Sequence, residues 1–180
     1  TDFDQPQIME VFQQANDTTA TQNEGAAGPS ITYAFGSLLN QGQDSMTVTN
    51  SQWTPYDASY PGANLSIIQN AGDAYTYAMM NSTVLEIHGQ AADPFGNGII
   101  PLRFSNPETQ MIYPAAYGSS FGDTAGGVNK FYMGFDPGIG FTVDSAQVHT
   151  TIIKVSDFDG WGSLTSPLGT FNVLRQNTYR

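Results

Sequence analysis

The sequence predicts an all-β domain, an antiparallel β-sandwich of jelly-roll-like or Greek-key type with long loops rich in Gly, Pro and Asn. Three observations carry this expectation. About a dozen short segments enriched in Val, Ile, Thr and aromatic residues follow one another, separated by Gly, Pro and Asn. Residues 147–175 read as a meander: a strand at 147–156, an Asp159-Gly160 turn, a strand at 161–165, a type I turn at Ser166-Pro167-Leu168-Gly169, and a strand at 170–175. Only 12% of the 180 residues are charged while uncharged polar and aromatic residues abound, a balance typical of extracellular β-proteins.

Taken in order, residues 1–16 contain Ile8-Met9 and Val11-Phe12, whose spacing suits one helical face as well as a short strand. Residues 17–29 carry Thr, Asn, Gly and Ala without a period and read as a loop. Residues 31–35 alternate, so a strand puts Ile31, Tyr33 and Phe35 on one side, and a further strand is expected at 45–50. From Trp53 to Asn64, Pro55 and Pro61-Gly62 interrupt Trp53, Tyr56 and Tyr60, which predicts an irregular surface segment. Strands are expected at 65–69, 74–80 and 83–88, then a turn-rich loop at 93–98, then strands at 99–104, 110–113, 130–135 and 141–143. There is no fixed-period repeat, so the chain reads as one domain, 1–180, with a segment 1–16 able to detach. At this length folding hides roughly 70% of the unfolded chain's surface, enough for a core without staples.

Composition excludes several classes of function. No Cys is present, so neither a disulfide framework nor a thiolate metal site is possible. Five Lys+Arg against 16 Asp+Glu give a net charge of −11 and a pI near 4.1, which repels nucleic acid and anionic membranes. No apolar run approaches the roughly 18 residues of a membrane span, and membrane insertion is not expected.

Glu24-Gly-Ala-Ala-Gly-Pro-Ser-Ile-Thr-Tyr-Ala-Phe-Gly-Ser-Leu38, Tyr56-Asp-Ala-Ser-Tyr-Pro-Gly-Ala-Asn-Leu65, Tyr113-Pro-Ala-Ala-Tyr-Gly-Ser-Ser-Phe-Gly-Asp123 and Asp159-Gly-Trp-Gly-Ser-Leu-Thr-Ser-Pro-Leu-Gly-Thr-Phe-Asn-Val-Leu-Arg175 occur in that order. Together they resemble an uncharacterised β-rich domain of exported Bacteroidota proteins, which usually precedes a C-terminal sorting module for type IX secretion. The resemblance implies export to the medium or outer cell surface and a β-rich fold, and it assigns no activity. Relatives usually continue past the position of Arg180, which implies either a truncated or processed chain or strands supplied from elsewhere.

Candidate chemistry is sparse. Gly118-Ser-Ser-Phe-Gly122 matches the nucleophile-elbow pattern around Ser120, but Asp123-Thr-Ala-Gly-Gly127 starts no helix and the pattern needs one. His88 and Glu86 share a strand side and reach one ligand together, two donors where a metal needs more, while His149 reads as exposed or at an edge. Asp157 and Asp159 resemble the start of a calcium loop, although Val155 stands where that pattern is acidic; calcium is the candidate cofactor, and a plain Asp-Gly turn is the alternative. Glu10, Glu24, Glu86 and Glu108 supply too few acids for any spacing to single out a glycosidase pair. Trp53, Tyr56 and Tyr60 form the candidate binding strip, whose rings suit a glycan or surface polymer and equally suit packing over a sheet edge; Trp161 reads as core. A non-catalytic binding or adhesion module is therefore expected. The alternatives are a homo-oligomer or filament joined by strand addition through 8–12, and a secreted hydrolase.

Overall fold

The computed structural model describes residues 6–17, 25–39, 41–70, 72–94, 96, 98–135, 139–140 and 142–180. Among them run ten strands: β1 Val11–Asn16, β2 Gly28–Ala34, β3 Gly42–Asn50, β4 Leu65–Gln69, β5 Ala74–Met80, β6 Val84–Ala92, β7 Ile100–Ile112, β8 Ser120–Phe135, β9 Val143–Ser166 and β10 Gly169–Tyr179. The protein is all-β, and no helix among the described residues is long and apolar enough to cross a membrane. Hydrogen bonds join the strands into one sheet in the order β1-β3-β4-β5-β6-β7-β8-β9-β10, with β2 on β9. Every pairing is antiparallel except that of β2, which runs parallel to β9. The ambiguous N-terminal pattern resolves as a strand, because β1 completes the sheet beside β3.

The strands run longer than the sequence predicts. The expected pair at 99–104 and 110–113 is one strand, β7, that passes through Pro107, and β8 starts ten residues before the expected strand at 130. The Asp159-Gly160 turn is a correction: these residues lie inside the 24-residue β9. Glycine serves close approach here. A Cβ on Gly160 would strike the Tyr33 hydroxyl and one on Gly162 would strike the Ile31 carbonyl, so both glycines admit β2 against β9. The hairpin through Pro167-Leu168 sits where the sequence places it, with Ser166 facing Gly169.

β9 organises the far end of the sheet. Its residues 143–157 pair with β8, 160–165 with β2 and 155–166 with β10. In a flat sheet β7 and β10 would lie about 14 Å apart, three strand spacings. The Gln176 side chain of β10 nevertheless donates to the Gln110 carbonyl of β7 at 3.1 Å, so the sheet curls back on itself. Inside the curl Lys154 and Glu108, both buried, pair at 2.8 Å, and Arg180 reaches the same carboxylate at 2.5 Å. At the other end the apolar core is Tyr60, Tyr77 and Ala91, beneath the segment that joins β3 to β4.

Candidate functional site

That segment is where the sequence places its binding strip. Asn50 accepts from the Gln52 amide at 2.9 Å and starts a short 3-10 turn, Ser51–Trp53. Ser51 Oγ donates to the Ala63 carbonyl at 2.9 Å and Thr54 Oγ1 to the Ser51 carbonyl at 2.6 Å. With that hydroxyl hydrogen spent, Thr54 Oγ1 accepts from the Tyr77 hydroxyl at 2.6 Å, and Tyr77 in turn accepts from the Tyr56 amide at 3.2 Å. Ser51 and Thr54 are buried, so the turn is braced from below while the Trp53 side chain, 67% exposed, stands out from it.

The three aromatics do not form one strip. Tyr56 is half-buried and meets the Tyr75 ring edge-on, with centroids 5.5 Å apart. Tyr60 is a correction: at 2% exposure it belongs to the core, stacked on Tyr77 at 4.1 Å, with its hydroxyl donating to the Gln90 carbonyl at 2.6 Å. Desolvation raises the pKa of both Tyr60 and Tyr77, so both hydroxyls stay protonated and act as structural hydrogen-bonding groups.

The reactive groups stay apart. Ser120 opens strand β8 opposite Asp157, and no helix follows it, so the elbow geometry is missing. His88 lies on β6, with β7 running between the two. It sits at a bulge in β6, where the register slips between Ile87 and Gly89, and its ring packs under Gly62. His88 Nε2 is buried with no hydrogen-bond partner among the described residues, and burial lowers the pKa against the opposing pull of Glu86. Glu108 is neutralised by Lys154 and Arg180, so it is no general acid in a cleft. His149 is exposed, on a part of β9 that among the described residues pairs with β8 alone, beside the Gln147 amide.

Asp159 faces Arg175 at 3.5 Å, and Asp157 sits between Ser120 and Asn177. Among the described residues no three His, Asp or Glu side chains converge as a metal centre.

Sequence reading missed Trp161. Expected in the core, it is 44% exposed and borders a groove of about 510 Å³ between β2, β9 and β10. The signal was available. In a strand Trp161, Ser163 and Thr165 share one side and Gly160, Gly162 and Leu164 the other, so the tryptophan stands among hydroxyls and not among core aliphatics.

Comparison with family models, with curated proteins and with solved structures returned no match.

Proposed function

We propose that this chain is a non-catalytic binding or adhesion module of the extracellular space or outer cell surface, holding a glycan or surface polymer through exposed aromatic rings. The observation that carries the reading is Trp53. A large indole left in solvent on a turn braced by four hydrogen bonds needs little backbone ordering on binding, and side chains of this kind act as contact anchors. The acidic composition, the low charge density and the resemblance to exported Bacteroidota domains support the location. The scattered placement of Ser120, His88 and the carboxylates favours binding over hydrolysis.

The test is retention of the labelled protein on intact cell-envelope preparations and on a panel of insoluble polysaccharides. Wild type is expected to be retained and Trp53→Ala to lose at least ten-fold in affinity, with an unchanged circular dichroism spectrum. Equal retention of both proteins would remove Trp53 from the contact.

One observation favours self-assembly as a second reading. Among the described residues β1 pairs with β3 alone, and Val11, Phe12, Gln13, Gln14, Ala15 and Asn16 include neither a charge nor a proline to guard the outer edge. Light scattering decides it: assembly that grows with concentration and disappears when residues 1–16 are removed supports strand addition, and a monomer throughout excludes it.

A further inference from the structure

We infer that the Trp161 groove is a second binding site, distinct from the Trp53 turn, and that it takes an uncharged pyranose ring of a polysaccharide. The groove lies where β2 runs parallel beside β9, which pairs with β10 as well. Thr32 pairs with Ser163 and Ser163 with Asn172, so a hydroxyl, a hydroxyl and an amide lie in one row across three strands at the strand spacing of about 5 Å. In the adjoining row Trp161 pairs with Leu174. At the start of β2 the register slips between Gly28 and Ile31, and Ser30 within the slip has φ +55°, a left-handed conformation that serine rarely adopts. A bulge of this kind re-aims a side chain, and here Ser30 lines the groove together with Trp161.

The chemistry of the lining selects the ligand. The side chains of Ser30, Thr32, Ser163 and Asn172 enter none of the hydrogen bonds made by the described residues, whereas buried Ser156 and Asn129 elsewhere in the sheet are bonded to neighbouring strands. Four unspent groups therefore ring an apolar plate. A pyranose offers the complement: a face of C–H bonds to lay on the indole and equatorial hydroxyls that both donate and accept. Among the described residues no ionised side chain lines the groove, and the protein carries −11 overall, so uronates and sulfated sugars gain no counter-charge there and meet a repulsive field. The volume falls in the range of small-ligand sites.

The inference shares the binding reading proposed above but rests on different residues. The chain has two tryptophans, so each site can be observed alone. In Trp53→Phe, Trp161 is the remaining indole, and titration with hydroxyethylcellulose, xylan and mannan is expected to shift its emission with at least one of them. Titration with polygalacturonate leaves it unchanged. Asn172→Ala in that background weakens the response at least five-fold while the circular dichroism spectrum holds. In Trp161→Phe, the emission of Trp53 reports the turn by the same titrations. An emission shift confined to Trp53 would leave the proposed function standing and overturn the groove; no response from the folded Trp53→Phe protein, or a stronger response to polygalacturonate, overturns it as well.

Discussion

At the scale of single residues, the braced turn depends on one phenol. Tyr77 gives its hydrogen to Thr54 and accepts from the Tyr56 amide, so Tyr77→Phe strands two polar groups under the turn. It is expected to cost about 1–3 kcal/mol in urea unfolding and to broaden the emission of Trp53, which the turn holds. His88 sets a pH dependence. Its folded-state pKa lies below the ordinary value because burial penalises the imidazolium, so below about pH 6.5 the unfolded chain binds the proton more readily. Stability from this group is complete above that pH and is lost as pH falls through the folded-state value. His88→Gln is expected to flatten the upper part of the acid limb in thermal melts between about pH 6.5 and 5, before the carboxylates titrate.

At the scale of elements, β7, β9 and β10 are held together by charge as well as by ladders. Glu108 is 4% exposed and Lys154 3%, so Glu108→Ala leaves an ammonium buried with no counter-charge and is expected to cost about 3–5 kcal/mol. The double variant Glu108→Leu, Lys154→Met is expected to recover most of that loss, measured by the same denaturant midpoint. Neither charge is recognisable as a partner in the sequence, because forty-odd residues and a whole strand separate them, and only the curl of the sheet brings them together. The hairpin at Pro167-Leu168 was legible because a turn is a local event governed by its own residues. Asp159-Gly160 carried the same local signal and misled, since the reason for its glycine lies on β2, far away in sequence. Tyr60 misled in the same way: a proline- and glycine-rich surface segment folds one of its rings inward to stack on Tyr77. Trp161 was readable from its hydroxyl-bearing strand neighbours, but only once the strand was known to continue through Gly160.

At the scale of the whole molecule, the scarcity of cations matters more than the net charge alone conveys. Of five Lys and Arg, Lys154 is buried against Glu108 and Arg175 is largely covered beside Asp159, which leaves few cations on the surface to offset the formal −11. Self-repulsion of such a surface is screened within about 8 Å at 0.15 M salt and about 30 Å at 0.01 M, so the melting temperature is expected to rise by a few degrees between the two. A melting temperature that falls with salt would show that the internal ion pairs outweigh the surface field. The class of fold was legible because short β-rich segments and punctuating turns are local, while the order of strands was not, since β2 leaves its sequence neighbours to lie along β9. That placement has a consequence in time. Ile31 can pair with Gly162 only after everything between them has been made, so during synthesis β2 waits, its edge open, for the strand that will lie beside it. The groove beside Trp161 is thus built by a contact between distant parts of the chain, and the surface proposed to bind forms only when both are in place.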